Sequence, residues 1–242
     1  MSFNMEGITI ELIVDSLQNA MRKANFNMIQ NDTKINMSVH NGKWDCIVTK
    51  IFDNMNNSNY KLSILDLGIF KVVFIYEKNS KLLFSVMRQS NYNDLLQGKK
   101  KVTHYANCSL SFNKNLPRKA EQLSMVDLPE LTEKEKDILD WKKGQIINGL
   151  GIEEKDVKHY ITIVFKEQNF VLEDVEAFLT NEYYEIIESI SLSEHIKSDV
   201  YESSHANTDQ DIPIRIKPNK AVSNSEPELD ININIKKEKK IN

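Results

Sequence analysis

Two cysteines, seven glycines and five prolines in 242 residues exclude several familiar chemistries. Cys46 and Cys108 stand far apart and form no CxxC pair, so neither a disulfide framework nor a zinc-type cysteine spacing is present; two reduced, buried thiols are expected. So few glycines supply no loop to cradle a phosphate. Gly149-Leu150-Gly151 lacks the rest of a dinucleotide fingerprint and precedes Glu153-Glu154, which would repel a phosphate, so it reads as a helix end. His104, His159 and His195 fall in different expected elements, with no HExxH, HxxxH or Cys/His spacing to gather them on one ion. No metal and no cofactor are therefore expected. No run reaches the roughly 18 apolar residues of a membrane helix, and the start of the chain lacks the basic and apolar regions of a signal peptide. A cytoplasmic protein without a membrane partner is expected.

What the chain does have is charge, unevenly placed. Residues 1–120 carry 16 Lys+Arg against 9 Asp+Glu, residues 121–211 carry 8 against 22, and residues 212–242 carry 7 against 4. The net charge of −4 thus hides a basic front and an acidic back. Such a split suits a basic face for an anionic partner, an acidic unit that covers that face, or two surfaces that keep the chain soluble. With 40% hydrophobic and 27% charged residues the composition is that of a globular protein. Its richness in Asn, Lys and Ile suggests an AT-rich coding sequence, as in low-GC bacteria and their phages and plasmids.

The pattern of apolar residues predicts an α+β protein. Ile10, Ile13, Val14, Leu17, Met21 and Ala24 recur at helical spacing, as do Trp44, Ile47, Val48, Ile51, Phe52 and Met55, with Asn41-Gly42 read as a turn before the second helix. From Tyr60 the period becomes two. Tyr60 to Ile64, Ile69 to Tyr76 and Leu82 to Met87 read as strands of a three-stranded antiparallel sheet, and Asn91 to Gln97 as a short helix. Pro117 and Pro129 flank a polar connection. Beyond it, Thr132 and Glu135 form a capping box that opens a helix through Ile138, Leu139 and Ile146. Tyr160 to Phe165, Phe170 to Leu179 and Tyr183 to Leu192 then read as a three-stranded meander. The expected layout is a basic α+β domain (1–120), a smaller acidic helix-plus-meander domain (121–202), and a disordered tail (203–242). In the tail, Ile212 to Ile216 and Ile231 to Ile235 alternate as edge-strand segments do.

Three groups of residues suggest chemistry. Helix, three strands and helix across Trp44 to Gln97 resemble the core of metal-dependent restriction-type nucleases, with Asp66 as a first metal ligand and Glu77 and Lys78 as the acid and lysine. Glu77 and Lys78 are adjacent, however, so on a strand their side chains would face opposite ways, and Leu82 to Met87 has no acid. A Cys46, His104, Asp66 triad can be drawn, as in any chain of this size. The third group is basic: Lys99, Lys100, Lys101, His104, Lys114, Arg118 and Lys119, interleaved with Tyr92, Tyr105 and Phe112, the combination that holds nucleic acid by phosphate contact and stacking. Arg88, at the end of a strand, either faces a cleft or pairs with an acid of the second part. Trp44 and Trp141 lie on expected helices and read as core.

Trp44-Asp45 with Thr49 and Ile51, then Gly68-Ile69-Phe70-Lys71, Ile75-Tyr76, Lys81, Met87-Arg88 and His104-Tyr105, resemble an uncharacterised family of proteins of low-GC bacteria, over about Trp44 to Leu116. The resemblance implies provenance and a two-part layout, and carries no activity. The functional expectation is a non-enzymatic binding or regulatory protein, of phage or mobile-element context, whose basic face (Arg88, Lys99, Lys100, Lys101, His104, Tyr105, Lys114, Arg118, Lys119) meets an anionic partner such as nucleic acid. The alternatives are a metal-dependent nuclease using Asp66, Glu77 and Lys78, and an acidic inhibitor that binds a protein.

Overall fold

Strands that are apolar on both faces need covering on both faces, and this chain supplies helices for each. The computed structural model describes residues 3–30, 36–68, 70–118 and 131–198, with the backbone alone at 30 and 36–41. Helices α1 (Gly7–Gln30) and α2 (Asn36–Met55) lead into β1 (Tyr60–Asp66), β2 (Lys71–Glu77) and β3 (Leu82–Arg88). The chain continues through α3 (Gln89–Leu96), α4 (Tyr105–Leu110), a 3₁₀ turn at Ser111–Asn113 and α5 (Glu133–Leu150). It returns through β4 (His159–Gln168), β5 (Val171–Thr180) and β6 (Ile186–Ser191). The α+β class and the helices and strands expected from the sequence are present, and α4 is an element the sequence pattern does not show. Thr132 and Glu135 form the expected capping box, and Gly151, at φ 59, ends α5 in the left-handed conformation.

The sheet differs from expectation. The two antiparallel three-stranded units are halves of one six-stranded mixed sheet, ordered β1-β2-β3-β4-β5-β6, with β3 parallel to β4 from Leu82↔His159 to Arg88↔Phe165. Two separate sheets would leave β3 and β4 as long apolar edges with unpaired backbone groups; each instead pairs with the other. Residues Met1–Asp199 form one compact unit, and the boundary placed near residue 120 falls outside the described residues, as does the tail. A second difference lies at Asn41-Gly42, which sits inside α2 rather than before it. A glycine costs a helix interior only about 1 kcal/mol, and the buried Cys46, Ile47, Ile51 and Met55 outweigh that.

Alternate strand residues build two cores. Val73, Ile75, Phe84, Val86, Ile161, Ile163 and Phe165 pack against Ile13, Leu17, Met21, Ile47 and Ile51 of α1 and α2. Val72, Phe74, Tyr76, Leu83, Met87, Tyr160 and Val164 face Tyr92 and Leu95 of α3, Cys108 and Leu110 of α4, and Ile146 and Leu150 of α5. The last turn of α5 lies against β1, where a Cβ on Gly149 would stand 2.1 Å from Ser63 Oγ and 3.1 Å from its Cβ. Gly149→Ala is therefore expected to cost about 1–2 kcal/mol through overpacking, and adding Ser63→Ala to recover most of it, since alanine favours the helix by up to about 1 kcal/mol. Urea unfolding of the two variants measures this. Among the described residues no helix is long and apolar enough to cross a membrane.

Candidate nucleic-acid interface

The turn between α3 and α4 is fixed by its own backbone chemistry. Gly98, at φ 66, closes α3, with its N–H donating to Leu95 O at 3.0 Å and that of Lys99 to Asp94 O at 2.9 Å. His104 caps α4: its Nδ1 accepts from the Ala106 N–H at 3.3 Å. From within α4, Asn107 Nδ2 donates to Lys101 O at 3.1 Å and Val102 O at 2.8 Å. The lysines 99–101 therefore project from an ordered loop.

From α5, Lys142 Nζ donates to Thr103 O. Burial of Lys142 lowers its pKa. The pKa of His104 falls from 6.5 to about 4, chiefly through burial and then through the charges of Lys100 and Lys142. The cap bond thus uses a neutral imidazole whose Nδ1 accepts, so the proton sits on Nε2. Lys100 is compensated by Asp94 at 3.2 Å. Among the described residues, no carboxylate lies within 4 Å of Lys99, Lys101 or Lys142. Lys100 and Lys142 thus act on a neutral histidine whose remaining N–H can donate, and Lys99 and Lys101 are exposed on the same turn. Such a concentration of like charge is relieved by an anion.

The other basic candidates are occupied. Arg88 Nη2 and Lys43 Nζ each lie 2.8 Å from Glu167 Oε1, on the face covered by α1 and α2, so Arg88 pairs with an acid of the second half and the sheet separates it from the α3–α4 turn. Lys114 pairs with Glu154 at 3.7 Å, and Arg118 stacks over Tyr183 at 4.7 Å. Lys119 lies outside the described residues. The aromatic residues expected to interleave with these lysines are structural. Tyr92 and Phe112 are core, and Tyr105 is half-buried, set edge-on to Phe74 at 6.4 Å and against His104 at 4.4 Å, with its phenol pKa raised by burial.

The nuclease residues do not converge. Asp66 pairs with Lys71 at one end of the β1–β2 ladder, and Glu77 pairs with Tyr60 at the other. Six residues of strand hold them roughly 20 Å apart. Asp66 closes a turn by accepting from the Gly68 N–H at 2.8 Å. Glu77, 1% exposed, accepts from Thr9 and Ser80 while Lys78 donates to Ser58 O. Cys46 lies in the α1–α2 layer and His104 in the opposite one, so they do not meet Asp66 as a triad. Cys46 and Cys108 are free and buried, and burial pushes the Cys108 thiol up to about 12. Lys142 was not legible as part of the basic cluster, because it follows the acidic start of α5 by sequence and joins the turn only through packing.

The depressed His104 pKa has a thermodynamic consequence. An unfolded histidine near 6.5 binds its proton before the folded one does, so this contribution is present above about pH 6.5 and is lost as pH falls toward 4. With partial exposure allowed for, the loss is about 2 kcal/mol. His104→Asn keeps the cap and removes the titration, and its unfolding free energy is expected to change less between pH 7 and 4.5 than that of the parent.

No curated protein and no solved structure matches the chain. A family model does, over residues 2–242, well beyond the stretch from Trp44 to Leu116 that carried the resemblance in sequence. This chain belongs to the family of unknown function DUF5986.

Proposed function

We propose that this protein is a non-enzymatic, cytoplasmic binding or regulatory protein whose α3–α4 turn, together with Lys142 of α5, receives the phosphates of a nucleic acid. The observation that carries this reading is the set of lysines without a carboxylate within 4 Å among the described residues, Lys99 and Lys101 on the α3–α4 turn and Lys142 of α5, in the same place as a neutral His104 whose pKa is lowered by burial and then by Lys100 and Lys142. A phosphate there would accept from the lysine ammonium groups and from Nε2–H, and would draw the His104 pKa back toward its ordinary value.

Three phosphate contacts give a salt slope of about −2 for a single strand and about −3 for a duplex. Affinity is then expected to fall roughly 20- to 40-fold between 50 and 200 mM salt. Fluorescence anisotropy with labelled oligonucleotides, magnesium present and product length checked, tests this. The combined variant Lys99→Gln, Lys101→Gln, Lys142→Gln should bind weakly and lose most of the salt dependence. Binding unchanged in that variant would place the interface elsewhere, and shortened oligonucleotide would show an enzyme.

A further inference from the structure

We propose that the nucleic acid is taken as a single strand, with Trp141 stacking an unpaired base beside the lysine cluster; this rests on the basic-surface reading above. Trp141 is 55% exposed on α5, a large indole on a helix whose apolar face is already buried through Ile146 and Leu150. At about 100° per residue, Lys142, Ile138, Gln145, Lys134 and Trp141 follow one another around the same flank of α5, moving outward from the core. Lys142 is the member of that flank that touches the α3–α4 turn, through Thr103 O. The indole therefore lies about 100° around α5 from Lys142, on the solvent side of the residue that reaches the α3–α4 turn.

Charge sorts the two flanks of the helix. Lys143, on the opposite flank, is neutralised by Glu154 at 2.6 Å and lies over the Phe112 ring at 5.0 Å. Lys134 and Lys142 have no carboxylate within 4 Å among the described residues. Asp137, one turn before Trp141, and Asp140, next to it in sequence, are acids near the indole, and Glu133 pairs with Lys136 at 2.7 Å, so the cations left for a ligand are Lys134, Lys142 and the turn lysines Lys99 and Lys101. Lysines without carboxylate partners near one exposed aromatic face match a single-stranded ligand, whose backbone follows the cations while a base stacks. A duplex hides its base faces and gains only the phosphate contacts. The aromatics nearest the lysines in sequence are packed inward, so Trp141 supplies the π-surface at this site.

Tryptophan emission reports on this directly, because the chain has two tryptophans and Trp44 is half-buried with its indole N–H donating to Lys71 O. The full chain is titrated with oligo(dT), oligo(U) and a duplex of equal length. Both single strands are expected to quench the emission, and Trp141→Ala to abolish the quenching and weaken single-strand binding by about 10-fold or more, with duplex binding unchanged. A matching thermal melt of the variant confirms its fold. If the lysine variant loses binding while Trp141→Ala binds single strands as the parent does, the stacking role is overturned and the basic surface stands. If no oligonucleotide binds at all, both proposals fall.

Discussion

Glu167→Ala is expected to lower the unfolding free energy by about 3–5 kcal/mol, because it removes the carboxylate shared by buried Lys43 and partly buried Arg88. A single carboxylate oxygen, Glu167 Oε1, takes both Lys43 Nζ and Arg88 Nη2 at 2.8 Å, with side-chain exposures of 10%, 9% and 23% for Glu167, Lys43 and Arg88. Lys43 comes from α2, Arg88 from the end of β3 and Glu167 from β4, just past the irregularity between Lys166 and Glu167 that re-aims the strand. Lys43 also lies 4.3 Å from the centre of the Phe170 ring. The cluster therefore ties a helix to the junction of the two half-sheets. Removing the acid leaves like charges in a poorly solvated place, whereas removing the acid and Lys43 together, as Glu167→Ala with Lys43→Met, also takes away the more deeply buried of the two cations. The double variant is expected to be more stable than Glu167→Ala alone. Equal unfolding midpoints for the two in urea would show that the cluster carries no such energy.

This cluster also shows what a one-dimensional reading misses. Arg88 ends an apolar run, and nothing local distinguishes an arginine aimed at a ligand from one aimed at an acid some eighty positions later. The same limit hid the parallel pairing of β3 with β4. Leu82 to Met87 and Tyr160 to Phe165 are nearly continuous apolar runs, which is the composition of strands paired and covered on both sides, yet each also fits a short antiparallel meander. The helices and hairpins were legible because their signals are local: the spacing from Ile13 to Ala24, the alternation from Tyr60 to Ile64, the Thr132–Glu135 box. Helix α4 was not, because Tyr105–Leu110 is too short to show a period. At the candidate site, the lysines 99–101 were visible as a run. The loss of Tyr92 and Phe112 to the core, the arrival of Lys142 and the exposure of Trp141 depend on how α5 packs across α4.

Asn113 tests the same packing from the inside. It is 1% exposed, at the end of the 3₁₀ turn that follows α4. Its side chain acts as an extra rung of backbone: Nδ2 donates to Tyr160 O at 2.7 Å and to Thr180 O at 2.8 Å, while Oδ1 accepts from the Tyr160 N–H at 2.8 Å. These groups lie just beyond the Ile161↔Leu179 pair of the β4–β5 ladder, so the amide bridges strands that have begun to part. Asn113→Leu keeps a similar shape and leaves one donor and two acceptors buried without partners. At about 1–3 kcal/mol for each orphaned group, the variant is expected to lose roughly 4–6 kcal/mol, a large fraction of the stability of an ordinary domain. Asn113→Asp is the sharper control. Its Oδ1 can still accept from Tyr160, but an ionised second oxygen faces two carbonyls, so its carboxyl pKa is raised and its deficit relative to the parent should shrink as pH falls from 7 toward 5. Amide hydrogen exchange separates this from general loosening: the Tyr160 N–H should exchange faster in Asn113→Leu than in Asn113→Asp. Because His104 caps the start of α4 and this anchor follows its last turn, the leucine variant should also weaken oligonucleotide binding, whereas Glu167→Ala, on the other side of the sheet, should leave the affinity of its folded fraction unchanged.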